Sequence, residues 1–218
     1  MNPTALQTGE TLLFIGDSIT AAGRHEPATS PLGCGYVNFF AHLLTVREPA
    51  KHVKIINRGI GGNTAEDLYS RWTDDALIHK PDWLSVKIGI NDCCRNLEDP
   101  EGRQRQLPAS HRDYLERSLE RTQAALPGVK LLLITPFYLS RETASDAHRG
   151  RIREHVKAYH QNVCELAQQF DARLLDTQAM FEQFMAHRTP SDISHDMVHL
   201  NVAGALFLAE GVYNALAE

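Results

Sequence analysis

Four short stretches hold side chains able to do chemistry, and they lie far apart in the chain: Gly16-Asp17-Ser18, "NRGIGGNT" from Asn57 to Thr64, "GIND" from Gly89 to Asp92, and "DMVH" from Asp196 to His199. Acyl transfer to a serine needs a base for the hydroxyl proton, a carboxylate to orient that base, and donors aimed at the developing oxyanion. Each role has a candidate. Ser18 supplies the hydroxyl and, because it opens a turn into a helix, its own N–H as one oxyanion donor. His199 is the candidate base. Asp196, three residues earlier in a non-helical segment, can fold back to Nδ1–H and fix the tautomer. Gly62 offers a second backbone N–H and the Asn91 amide a third donor. Taken singly these motifs are ordinary, since Gly-rich segments are mostly turns and Asn or Asp after a strand mostly caps a helix. Their combination in this order is what points to a nucleophilic serine.

Two other readings use the same residues. A turn after a first strand can cradle the phosphate of a flavin or nucleotide with N–H groups alone, but such a binding module has no use for Asp196 and His199 at a spacing of three. "HDMVH" also approaches the zinc-protease pattern H-E-x-x-H, in which His195 and His199 share one helical face. That pattern requires a helix across both residues, and here the helical pattern begins near Asn201. His195 is therefore read as a surface or pocket-lining residue, and the other nine histidines as solvated or structural. Asp17 is expected to stabilise its turn through nearby N–H groups, Trp72 to pack on a helix face and Trp83 to lie in the core, while the role of Arg95, a candidate for substrate contact, stays open.

The elements that must position these groups are legible as alternating runs. "TLLFIG", "VKIIN", "DWLSVKIG", "VKLLLIT" and "ARLLD" are short apolar strand candidates. Between and after them, helical periodicity predicts helices over roughly 36–47, 64–78, 110–126, 148–170 and 201–217. Strand and helix in alternation imply right-handed crossovers and a parallel sheet covered on both faces, with ligands at the carboxyl ends of the strands. The segment 92–112 is expected to be the longest strand-free connection, on the active face.

The chain has 218 residues and no linker-like composition shift, so residues 1–218 are read as a single α/β domain. A net charge of −5 and a pI near 6.1 argue against nucleic acid or an anionic membrane as partner. No basic leader followed by a long apolar stretch stands at the N-terminus, and no segment is apolar enough to span a bilayer, so a cytoplasmic protein is expected. Cys34, Cys93, Cys94 and Cys164 show no CxxC spacing and are expected to be reduced.

On these motifs the sequence resembles the GDSL, or SGNH, hydrolase family: "GDSIT" matches its first block, "NRGIGGNT" its second, "GIND" its third and "DMVH" its fifth. The resemblance implies a flavodoxin-like three-layer α/β/α sandwich with strand order 2-1-3-4-5. It also implies a Ser18–His199–Asp196 triad, an oxyanion hole of Ser18, Gly62 and Asn91, and no metal or organic cofactor. "LLFIGDSITAAGR", "GCGYVNFF", "LLLITPFYL" and "LLDTQAMF" are further similar to bacterial intracellular acetylxylan esterases, which form oligomers. That similarity implies a homo-oligomeric esterase acting on acetylated sugars such as xylo-oligosaccharides. Those relatives commonly carry an aromatic residue where His195 stands here. A short-chain lysophospholipase or thioesterase of the same family, and a non-catalytic sugar- or nucleotide-binding module, are the alternative functions.

Overall fold

The computed structural model describes residues 2–99 and 106–217. In chain order the elements are β1 Thr11–Gly16, α1 Ser18–Ala21, α2 Tyr36–Arg47, β2 Lys54–Gly59, α3 Ala65–Ser70, α4 Trp72–Asp75, β3 Trp83–Lys87, α5 Ile90–Glu98, α6 Pro108–Ala125, β4 Lys130–Ile134, α7 His148–Gln169, β5 Arg173–Leu175, α8 Thr177–Met185 and α9 Val202–Ala215. Every strand pairing is parallel and the order is β2-β1-β3-β4-β5. The parallel sheet is the one the alternating runs predict, and its strand order and layers are those the family resemblance implies.

The sheet's alternation divides the core in two, because successive side chains of a strand point to opposite faces. Leu12, Phe14, Trp83, Leu132 and Ile134 meet α2, α5, α8, α9 and the first half of α7. Leu13, Ile15, Leu84, Val86 and Leu133 meet α3, α4, α6 and the second half of α7. Trp72 and Trp83 are both buried, and each indole N–H is satisfied, by Thr122 Oγ1 at 2.8 Å and Glu10 Oε2 at 3.0 Å respectively. All four cysteines are free. Among the described residues no helix is long and apolar enough to cross a membrane.

Three expectations about elements need correction. The helix expected over 64–78 is broken into α3, α4 and a 3₁₀ turn at Leu77–His79. Its break falls at Arg71, which leaves helical geometry (φ −105°, ψ 9°) and turns its guanidinium inward onto β1 and β2. The segment 92–112 is mostly helix, ending α5 and beginning α6; residues 100–105 lie outside the described residues. Its helical signal was present in Ile90, Cys93, Cys94 and Leu97, spaced i, i+3, i+4, i+7, and these residues pack on the first apolar cluster. Helix α8 was missed as well, although Asp176 caps it by accepting from Ala179 N at 3.0 Å and Phe181 and Met185 form its buried stripe.

Candidate active site

The apolar run of β1 ends in glycine because nothing larger fits. A Cβ on Gly16 would lie 2.3 Å from the Lys87 carbonyl oxygen and 2.5 Å from Thr20 Oγ1. Asp17 follows as N-cap of α1, its Oδ1 accepting from Ile19 N at 2.9 Å. Ser18 is then the first helical residue, so its N–H is among those a helix start leaves without an intrahelical acceptor. Helix α1 is held tightly against the end of β2: a Cβ on Gly59 would come within 2.2 Å of Ala21 N. Asn57 fastens this arrangement, donating from Nδ2 to Thr20 O and Leu32 O, both at 2.7 Å, while its Oδ1 accepts from Gly59 N.

Ser18 Oγ lies 2.9 Å from His199 Nε2, and His199 Nδ1 lies 2.7 Å from Asp196 Oδ2. A carboxylate can only accept, so the proton sits on Nδ1 and Nε2 is left to take the hydrogen of Ser18. Asp196 Oδ1 meanwhile accepts from the backbone N–H of Val198 and His199, at 3.0 and 2.6 Å. Burial works against ionisation of Asp196, but the bond to the His199 ring and those backbone bonds outweigh it and hold its carboxyl below the usual aspartate range. The turn between the two residues places Met197 at φ +75° and is tied to the neighbouring loop by Leu139 N donating to Met197 O at 3.0 Å. Both side chains are about half exposed, His199 at 50% and Asp196 at 53%.

Gly62, at φ +76°, stands in the loop after β2, and Gly61 next to it approaches Ser18: a Cβ there would lie 3.9 Å from that of Ser18. Asn91 is the second residue of α5 and donates from Nδ2 to Asn63 O at 3.0 Å. One amide hydrogen is thus committed to the loop, and the other has no acceptor among the described residues. The helix cap at this position is Gly89, not Asn91. Arg95, whose role the sequence leaves open, donates to Gly62 O at 2.7 Å and lies 3.7 Å from Asp67. Asp92 is buried, accepts from Ala65 N at 3.0 Å, and is pushed up to about 7, chiefly by burial and further by Asp17 and Asp67. Beside the Asp17 turn the fully buried Lys87 Nζ lies 4.0 Å from Asp17 Oδ2, its charged form disfavoured by burial and favoured by that carboxylate.

His195 is exposed, and its backbone N–H donates to His199 O at 2.9 Å. Residues 195–199 are turn rather than helix, and His199 has both ring nitrogens engaged, so the two histidines are not presented as an H-E-x-x-H pair. The holding residues Asn57, Asn63 and Arg71 are not evident in the sequence, where they read as turn or helix-surface positions.

A cavity of about 160 Å³ opens beside Ser18 and His199, walled by Ile19, Ala22, Tyr36 and Leu200 among others. A larger cavity, about 620 Å³ around Trp83, Leu126 and Arg173, lies at the opposite, amino-terminal edge of the strands, far from this constellation.

Comparison with known proteins gives a consistent picture. An acetylxylan esterase of Geobacillus stearothermophilus is 35% identical over 207 residues, covering 93% of this chain and 91% of its own. A crystal structure of a catalytic mutant of that organism's acetylxylan esterase Axe2 superposes with a TM-score of 0.86 at 32% identity, covering 97% of this chain and 95% of the other. LAE5, an alpha/beta hydrolase enzyme from the metagenome of Lake Arreo in Spain, gives 0.86 at 29% identity, covering 97% and 96%. Residues 14–206 match the GDSL-like Lipase/Acylhydrolase family, and the chain belongs to that family.

Proposed function

We propose that this chain, as one SGNH domain over residues 1–218, is a serine esterase that removes acetyl groups from acetylated sugars such as xylo-oligosaccharides. The observation that supports it most is the relay of Ser18, His199 and Asp196 with spacings of 2.9 and 2.7 Å. Ser18 Oγ attacks the ester carbonyl while its proton passes to His199 Nε2, and the Asp196 carboxylate stabilises the imidazolium that forms. The oxyanion is received by the N–H groups of Ser18 and Gly62 and the free hydrogen of the Asn91 amide. Collapse expels the sugar oxygen, which takes the proton from His199 and leaves an acetyl ester on Ser18. Water, deprotonated by His199, then releases acetate and restores the serine.

The small cavity at Ser18 supports a short acyl group, and the relatives support the sugar. Axe2 structures include catalytic mutants in which a serine, an aspartate or a histidine is replaced by alanine, the last two separated by three positions. Asp196 and His199 have the same separation. Another Axe2 structure replaces a tryptophan immediately before that aspartate, where this chain has His195, so the rim of the substrate site is built differently here. The reading includes a cytoplasmic homo-oligomer, supported by the four free thiols and by the resemblance to an oligomer-forming subgroup.

The test is a rate comparison with Ser18→Ala as control and EDTA added in parallel. Wild type should deacetylate xylo-oligosaccharide acetates, be indifferent to EDTA, and lose about tenfold or more in kcat/KM on going from acetyl to butyryl to octanoyl nitrophenyl esters. Ser18→Ala should be inactive on all of them. Chelator inhibition reversed by zinc would refute the serine mechanism, and a preference for octanoyl esters would refute the sugar deacetylase within an intact serine chemistry.

A further inference from the structure

The proposed oxyanion side of the site rests on glycine-rich backbone. Gly59, Gly61 and Gly62 fall within four residues, and glycine restricts φ and ψ least of all residues. A hole that must present two amides to one oxygen needs that loop fixed from outside. Arg95 and Asn91 hold it at Gly62 O and Asn63 O, but through these bonds each reaches only the loop. Arg71 does more. Its Nε donates to Asn63 Oδ1 at 2.7 Å, Nη1 to Arg58 O at 2.9 Å, and Nη2 to Gly16 O at 3.1 Å. Gly16 is two residues before Ser18, and Asn63 is the residue after Gly62. The guanidinium is itself oriented by Asp75 Oδ2 at 2.7 Å, and only 15% of its side chain is exposed.

We propose that Arg71 is a positioning residue for the oxyanion hole: by bridging β1, the end of β2 and the glycine loop, it sets the separation between the Ser18 and Gly62 amides. The three acceptors lie in three directions, which suits the rigid fork of a guanidinium and not the single point charge of an ammonium. The break between α3 and α4 serves the same end, since Arg71 sits at the break and turns its side chain under the site. The arrangement holds a cation where Arg24 and Arg58 also stand. Burial first, and these two charges second, lower Arg71 to about 10, leaving it charged at neutral pH.

This inference rests on the esterase reading, and the experiment separates the two. Wild type, Ser18→Ala, Arg71→Met and Arg71→Lys are assayed on an acetyl ester, with active sites counted by the end point of serine labelling with an organophosphate and with thermal midpoints recorded. A displacement of about 1 Å in catalytic geometry costs on the order of 10²-fold, so Arg71→Met should lose roughly 10- to 100-fold in kcat per labelled site. KM should stay within about twofold, because the hole engages the transition state rather than the substrate. Millimolar guanidinium should restore part of kcat to Arg71→Met and nothing to wild type. Arg71→Lys, which keeps the charge, should remain impaired, and it serves as the test variant if the methionine form does not fold. A kcat per labelled site within twofold of wild type, with only a lowered midpoint, overturns the proposal and makes Arg71 a packing residue. A raised KM at unchanged kcat overturns it in favour of substrate binding. A wild type no more active than Ser18→Ala overturns the esterase reading itself, and this inference with it.

Discussion

Asn91 is where the proposed mechanism is most exposed to refutation, because the structure gives its amide a second task. Nδ2 has two hydrogens; one is donated to Asn63 O at 3.0 Å, and the mechanism assigns the other to the oxyanion. Asn91→Ala removes both. Loss of one oxyanion donor costs about 10²–10³ in kcat, roughly 3–4 kcal/mol of transition-state stabilisation, with KM little changed. Loss of the bond to Asn63, which is partly buried, costs about 1 kcal/mol of fold stability. For a chain of this length that corresponds to a midpoint lower by roughly 2–4 °C, too little to unfold the enzyme at room temperature. The loop keeps its other ties, from Arg71 to Asn63 Oδ1 and from Arg95 to Gly62 O, so it does not collapse with the mutation.

The two effects therefore separate on one sample. Initial rates per labelled serine report the donor, and a thermal scan reports the tether. Affinity for an alkyl boronate that forms a tetrahedral adduct on Ser18 should fall in parallel with kcat, since it samples the same oxyanion. Asn91→Asp should be at least as impaired, because it sets an anion beside both the developing charge and the Asn63 carbonyl oxygen, with the buried Asp92 adjacent in sequence. Near-normal kcat and boronate affinity in the alanine variant, at a midpoint lowered by a few degrees, would show that the amide only tethers Asn63 and that the hole has two donors.

Asp196→Asn should lower kcat by roughly 10²–10⁴, since an amide cannot fix the tautomer or balance the imidazolium, with the lower end favoured by water reaching this half-exposed pair; a fall under tenfold would remove Asp196 from the relay. The pH dependence of stability should report Asp92. Its folded-state value of about 7 lies above the ordinary 3.8, so the folded protein binds more protons than the unfolded chain between those values and loses stability as pH rises through that window. Asp92→Asn, whose carbonyl can still accept from Ala65 N, should abolish that decline; urea midpoints measured from pH 4 to 8 that fall in parallel for both proteins would contradict it.

How far the site could be read from the sequence depends on whether a residue acts locally. The position of Ser18 was legible because a buried parallel strand has to be apolar until it ends, and its candidacy because three further motifs follow in the order that acyl transfer needs. Asp196 and His199 were legible because their bond spans three residues. Asn57, Asn63 and Arg71 were not, because their partners are remote: Arg71 reaches 55 residues back to Gly16, and Asn57 reaches 37 residues to Thr20. Nothing in the strand run "DWLSVKIG" marks Lys87, which is fully buried beside Asp17, a placement that only the packed sheet produces. The segment 92–112 misled for a different reason. It was read only as a strand-free connection, while four apolar side chains at helical spacing were enough to hold α5 against the core.

The same division separates the two halves of the site physically. Ser18 and the proposed oxyanion donors stand on fastened backbone: neighbouring atoms lie within 2.3 Å of where a Cβ on Gly16 or Gly59 would be, and the glycine loop is held by Arg71, Asn91 and Arg95. The proposed base His199 and its partner Asp196 sit on an exposed turn, and a hydrogen-bonded pair so open to water adds little to stability, about 1 kcal/mol or less. Rigidity is therefore concentrated where the transition state develops charge, because preorganised donors are effective only if they need not reorganise as that charge forms. The half that must shuttle a proton between Ser18, the sugar oxygen and water is left closer to solvent. Substitutions at Asp196 or His199 should thus act on rate with little effect on folding, whereas the fastenings at Asn57, Asn63 and Arg71 couple the two, which is why their contribution to catalysis can only be read per active site.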